Sequence, residues 1–163
     1  MRRSLVLFLG VALAAVVFDQ ATKFWVRRAL EPYAVVPVVP NVLDLTYVLN
    51  PGAAFGMFAR APAGVVLPFF VLVAAAAIVA IVFLWPRVPE HATRLHVALA
   101  FILAGATGNL IDRLRFRAVV DFIDLHWFQY HWPAFNAADA SICVGLGLVA
   151  LDLLHASRRP GRS

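Results

Sequence analysis

From Ala61 to Pro86 the chain reads APAGVVLPFFVLVAAAAIVAIVFLWP, an apolar run without a charged residue. A helix rises ~1.5 Å per residue and a bilayer core is roughly 30 Å thick, so about 20 residues suffice and this run spans outright. Three shorter apolar stretches accompany it: Ser4 to Phe18, Leu95 to Ile111 and Ala140 to Leu151. Each reaches spanning length only with polar flanks. Asp19, Lys23 and Trp25 extend the first, Asp112 and Arg113 the third, and the fourth begins back at Phe135 and takes in Asp139. The expected fold is therefore membrane all-α, with four transmembrane helices over about residues 4–25, 62–86, 95–114 and 136–156. Residues 1–163 are expected to form a single integral-membrane domain.

The composition points the same way. Of 163 residues 63% are hydrophobic and 14% charged, against roughly 45–50% apolar and about 25% charged in soluble domains. A single cysteine and the lack of a Cys/His cluster exclude a disulfide scaffold and a zinc module. A net charge of +5 does not indicate nucleic acid as a partner, because the basic residues stand at the ends of apolar runs rather than on a surface of their own. Trp25, Trp85, Trp127 and Trp132 fall at or beyond expected span ends, where amphipathic rings sit at headgroup level.

Arg2 and Arg3 before an apolar run also fit a cleaved signal peptide, but three remaining spans would separate the termini across the membrane, so the run is read as retained. With four spans, Arg2, Arg3, Arg87, Arg94, Arg158, Arg159 and Arg162 share one side. Lys23, Arg27, Arg28, Arg60, Arg113, Arg115 and Arg117 share the other, an equal number. The first group occupies the shorter segments, which the positive-inside rule weighs, and this places both termini in the cytoplasm.

Between the first two spans, Tyr33 to Asn50 is rich in β-branched and aromatic residues and broken by prolines, which is edge-strand chemistry closed by the turn residues Asn50-Pro51-Gly52. A small periplasmic β-rich segment is expected there. Internal repeats and flexible linkers are absent, and only residues 157–163 look frayed.

Polar residues concentrate in five clusters: Asp19 to Lys23, Asn50 to Gly56, Gly105 to Arg113, Val119 to Asp124, and Phe135 to Asp139. In a four-span topology all five meet at one membrane interface. Asn109-Leu110-Ile111-Asp112-Arg113, Val120-Asp121-Phe122 and Phe135-Asn136-Ala137-Ala138-Asp139, in this order and spacing, closely resemble the motifs of the bacterial lipoprotein (type II) signal peptidases. The resemblance extends over nearly the whole chain. It implies an inner-membrane aspartyl endopeptidase that cuts diacylglyceryl-modified prolipoproteins before their lipidated cysteine. It maps the catalytic aspartates to Asp121 and Asp139, and the other polar site positions to Asp19, Lys23, Asn50, Gly52, Gly108, Asn109, Asp112, Arg113 and Asn136. No cofactor or metal is implied. Lipidated prolipoproteins and membrane lipids are the expected partners, and the chain is expected to act as a monomer.

The residues support that chemistry independently. Two carboxylates that share a proton can hydrolyse a peptide, one drawing a proton from water while the other holds the scissile carbonyl. Val119, Val120, Phe122 and Ile123 desolvate Asp121 and favour its protonated form. Asp139 falls near the start of span four, where the helix N-terminus favours negative charge and Asn136 suits an N-cap. Asn109, Asp112 and Arg113, at i, i+3 and i+4, share a helix face. Asp19 and Lys23, at i and i+4, fit either an ion pair that orients span one or a substrate contact. Asn50 and Gly52 fit either a turn or a side chain reaching the site.

Other groups are read as structural. His126 and His131 near Asp124 lack a third ligand in register and sit among interfacial aromatics. Cys143 reads as a buried inert thiol, Ser141 lacks a base, and Asp152 is expected to meet Arg158 or Arg159. A proton-coupled carrier would place polar groups near mid-membrane in repeated halves, and the sequence shows neither. A non-catalytic assembly factor, packing through the small residues Ala74 to Ala77, would not need two acids.

Overall fold

The computed structural model describes residues 2–52 and 63–157. The order of elements is α1 (Arg2–Ala29), β1 (Val35–Val39), β2 (Leu43–Asn50), α2 (Ala63–Leu84), a short turn of tight helix at Trp85–Arg87, α3 (Thr93–Phe116), β3 (Val119–Trp127), β4 (Tyr130–His131) and α4 (Ala137–Ser157). All four α-helices are long and apolar enough to cross a membrane. Their outward faces carry large bare side chains such as Leu13, Phe18, Leu72 and Leu153. Contiguous exposure on that scale suits contact with lipid rather than water.

Helix α3 is the hub, packing against α1, α2 and α4. Its inward face explains why: Ala98, Ala100, Ala104, Gly105, Ala106 and Gly108 are all buried and small, so neighbouring backbones come close. At the end of the bundle that holds Phe8, the rings of Phe8 and Trp85 stack with centroids 5.0 Å apart. At the other end Val26, Tyr47, Val120, Phe122 and Ala137 form a second apolar cluster that joins α1 and α4 to a four-stranded sheet.

The sheet is antiparallel with order β1-β2-β3-β4. Its first two strands are the expected segment between α1 and α2, and Pro37 lies on exposed β1 at the sheet edge, where a missing N–H costs no ladder bond. The other two strands come from the α3–α4 connection, where the sequence reading assigned no strand. The signal was present in the β-branched and aromatic run Val119-Val120-Asp121-Phe122-Ile123, but a buried strand interrupted by an acid shows no alternation of its own. It pairs with β2 on one side, for example Leu45 against Ile123 and Asn50 against Val119, and with β4 on the other, which makes it one of the two inner strands.

One smaller expectation is corrected. Cys143 is exposed, on the lipid-facing side of α4 rather than buried. Asp152 faces Arg94 of α3 at 4.0 Å; its expected partners Arg158 and Arg159 lie outside the described residues, as do Ala53 to Gly56, Arg60 and Arg162.

Gly108 shows how tightly the hub is built. A Cβ placed there would stand 2.5 Å from Asp19 Oδ2 and 3.2 Å from the Ala138 Cβ, whereas one on Gly10 of α1 would meet nothing within 4 Å. Gly108→Ala is therefore expected to cost about 1–3 kcal/mol by overpacking. Gly10→Ala should be neutral or stabilising by up to ~1 kcal/mol through helix propensity. Thermal unfolding of the two variants in one detergent checks the contrast, and equal midpoints would contradict it.

Candidate active site

Behind the sheet-side ends of the helices lies a buried ionic knot. Lys23 Nζ sits 2.9 Å from Asp19 Oδ2 and 2.9 Å from Asp112 Oδ2, with all three side chains almost wholly buried. It also donates to Asn109 Oδ1 at 3.1 Å. A lysine stem from α1 thus crosses to α3, and opposite charges at this distance offset much of the cost of leaving water. Gln20 adds donors to Asp19 Oδ2 and Asp112 Oδ1, both at 3.1 Å.

Both acids also reach the next layer, Asp19 through its second oxygen and Asp112 through the oxygen it shares with Lys23. Asp19 Oδ1 accepts the backbone N–H of Ala138 at 2.8 Å, and Asp112 Oδ2 accepts the N–H of Val120 at 3.1 Å. Ala138 immediately precedes Asp139, and Val120 immediately precedes Asp121. The knot therefore grips the backbone one residue before each candidate catalytic acid. Of the two expected alternatives for Asp19 and Lys23, the ion pair is present, and neither residue lines the cleft described next.

Asp121 and Asp139 both line a cleft of about 300 Å³, together with Asn50, Gly52, Phe70, Asn109, Arg113 and the wall Trp132 to Phe135. Asp121 comes from β3 and Asp139 from the first turn of α4. Asn136 joins them from behind. Its Nδ2 donates to Asp121 Oδ1 at 2.7 Å, its Oδ1 accepts the Asp139 N–H at 3.0 Å, and its own N–H points at Asp139 Oδ2 at 3.3 Å. This is the expected N-cap of α4, and the reciprocal bond from the residue three positions on makes it a capping box. Asn109 Nδ2 holds Asp139 Oδ1 at 2.7 Å, while its Oδ1 accepts from Asn136 at 3.2 Å.

Asn50 fulfils both of its expected alternatives. Its Oδ1 accepts the Gly52 N–H at 2.8 Å to close the turn, and its Nδ2 donates to Asp121 Oδ2 at 2.9 Å. Gly52 has φ +122°, and a side chain there would strike Val66 and the Phe70 ring. The Arg113 guanidinium sits 4.8 Å from the Phe70 ring centroid and puts a positive charge on the cleft wall. Burial pushes the Asp121 carboxyl up to about 7; the charge of Asp139 adds to this, and the amides of Asn50 and Asn136 oppose it.

Of the eleven positions singled out in the sequence, Asp121, Asp139, Asn50, Gly52, Asn109 and Arg113 line the cleft, while Asp19, Lys23, Asp112, Gly108 and Asn136 support it. Gln20 was missed as a supporting residue although it lies inside the first polar cluster. The wall Trp132 to Ala134 was missed as well, because aromatic and small residues carry no chemical signal. His126 and His131 stack with centroids 4.6 Å apart and face Asp44 and Asp124 respectively, at the far end of the sheet. Among the described residues, no group of three or more His, Cys, Asp or Glu side chains is arranged to hold a metal.

Residues 11–155 match the family model for signal peptidase (SPase) II. A lipoprotein signal peptidase of Syntrophotalea carbinolica is 46% identical over 145 residues, 89% of each chain. One from Geobacter sulfurreducens is 44% identical over 155 residues, 94% of each. A solved bacterial membrane enzyme superposes with a TM-score of 0.84 at 31% identity, covering 96% of this chain and 92% of the other.

The geometry around Asp121 has a measurable consequence. An amide donor stabilises the carboxylate, so removing it with Asn50→Ala should let the protonated form persist to higher pH. Infrared difference spectra of the protonated carboxyl band, titrated through the neutral range, are expected to show the Asp121 midpoint moving up from about 7 in the variant. An unchanged or lowered midpoint would contradict the assignment of that bond.

Proposed function

This chain belongs to the signal peptidase II family, and on that footing we propose that it removes the signal peptide of diacylglyceryl-modified prolipoproteins with Asp121 and Asp139 as an aspartyl dyad. The observation that carries the reading is Asn136, whose side chain donates to the Asp121 carboxyl and accepts the backbone N–H of Asp139 where both residues face one cleft. Asp139, at the N-terminus of α4, takes a proton from water as the oxygen attacks the scissile carbonyl. Asp121, protonated up to about pH 7, donates to the developing oxyanion. When the tetrahedral intermediate collapses, the proton held by Asp139 passes to the leaving nitrogen and the C–N bond breaks. The products are the signal peptide's new carboxyl terminus and the free amine of the lipidated cysteine. Arg113, on the cleft wall, adds positive charge beside the polarised carbonyl.

The same reading places both termini in the cytoplasm and the sheet with its cleft at the periplasmic face of the inner membrane. The chain works there as one domain and as a monomer. Support comes from the arginines near the termini and in the α2–α3 turn, and from the crowding of buried polar groups at the sheet-side helix ends. That crowding also argues against a carrier, whose polar groups belong at mid-membrane.

A dyad acts as a unit, so Asp121→Asn and Asp139→Asn should each abolish cleavage of a lipidated precursor while the protein still folds. Near-normal turnover by either variant would overturn the assignment. The second expectation concerns depth. Each buried methylene adds ~0.8 kcal/mol of membrane affinity, so a diacylglyceryl group holds the scissile bond at the bilayer surface where the cleft opens. The same precursor with an unmodified cysteine should be cleaved at least ~100-fold more slowly, about 2.7 kcal/mol of lost positioning. Initial rates on matched precursors in one nanodisc preparation decide it, and comparable rates would contradict the substrate class.

A further inference from the structure

Strand β3 outruns the helix bundle that carries it. Leu45 pairs with Ile123 and Leu43 with Leu125, so Ile123 and Leu125 share a sheet face, and Leu45 and Ile123 pack on the cluster formed with α1 and α4. That bundle-facing side continues to Trp127, to its partner Tyr130 and to Trp132. Burial along it falls away: Ile123 is partly covered, Leu125 is 40% exposed and Trp127 67%. Tyr130 and Trp132 are 71% and 61% exposed. The opposite face of the same strands is polar, with Asp44, Asp124, His126 and His131 joined in pairs.

Ile123 shows what lies beneath the overhang. It caps an apolar groove between α1 and α4 lined by Val11, Phe18, Ala140 and Val144, on the lipid-facing surface of two helices that cross the membrane. The face carrying Leu125 and Trp127 is thus continuous with the lipid contact of the spans and projects past them. A two-sided ribbon in that position, with aromatic and aliphatic groups toward the bilayer and carboxylates and imidazoles away from it, has the chemistry of an interfacial anchor.

We propose that Leu125, Trp127, Tyr130 and Trp132 form a shelf that docks on the lipid surface of the sheet-side leaflet, a membrane contact additional to the four spans. Trp132 belongs both to this shelf and to the cleft wall that ends at Phe135, whose backbone exchanges hydrogen bonds with Ile123. Docking therefore sets the height of one side of the cleft relative to the bilayer. The inference rests on membrane crossing and not on the peptidase reading.

The test uses the full chain in nanodiscs, with Trp25→Phe and Trp85→Phe so that Trp127 and Trp132 supply the emission. Lipids labelled with a quencher near the headgroup should remove most of the emission, lipids labelled deep in the acyl chain little of it, and a water-soluble quencher little. The emission maximum should sit at shorter wavelength than that of a water-exposed indole. Full access to the water-soluble quencher with no lipid-borne quenching overturns the proposal. A second variant guards against misfolding in the first. A nitroxide on Leu125→Cys, in a Cys143→Ala background, should collide with oxygen more than with a polar nickel chelate. The reverse order overturns lipid docking, and low collision with both would mean that a protein surface, such as a second copy, covers the shelf. Neither readout depends on cleavage, so a failed shelf and a failed peptidase assignment are distinguishable.

Discussion

Everything at the sheet-side end of this molecule depends on one ammonium. Lys23 lies between Asp19 and Asp112 with hardly any solvent access, and the two carboxylates reach past it to the backbone N–H groups of Ala138 and Val120. Three charges in a membrane protein's interior are costly to desolvate and are retained only where the pairing is close and every remaining lone pair is used. Here the requirement extends to geometry. The helix that carries one acid and the strand that carries the other are tied to the same cation, so their spacing does not rely on loop packing. Removing one partner leaves a buried charge uncompensated, a loss of roughly 3–5 kcal/mol in comparable settings.

The knot also explains the distribution of small residues on α3. Gly108 leaves room for the Asp19 carboxylate, and Gly105 lets the start of α4 approach closely. Apolar packing of helices in lipid lacks the hydrophobic drive available in water, and close backbone contact with interhelical hydrogen bonds supplies it instead. The same glycines that make the bundle compact therefore admit the polar network, and stability and site geometry share their residues.

Much of this was legible in the chain. Four spans followed from the apolar run at residues 61–86 and from polar flanks completing three shorter runs, and the five polar clusters marked one end as the site. Asp121 was readable as desolvated from its Val and Phe neighbours, and Asn136 as the α4 cap from its spacing to Asp139. Two features were not. The second pair of strands was hidden because the first half of β3 is buried on both faces and lacks period-two alternation, and its partner lies far earlier in the chain, with Asn50 and Asp121 separated by 71 positions. The roles of Asp19, Lys23 and Asp112 were undetermined because helical spacing shows which residues share a face but not which backbone N–H waits across the gap.

Asn136 bears on how the cleft would respond to a drug. Its amide caps α4, steadies one acid and orients the other, while Asn109 and Asn50 are each bonded to an acid and to a second group that shapes the fold. A compound that binds by pairing with these amides and the two carboxylates meets residues that all do two tasks. Substitutions that weaken its binding would also loosen a helix start, a turn or the ionic knot, so routes to resistance run instead through the rest of the lining, such as Phe70 and the wall Trp132 to Phe135, or through changes in the amount of protein made.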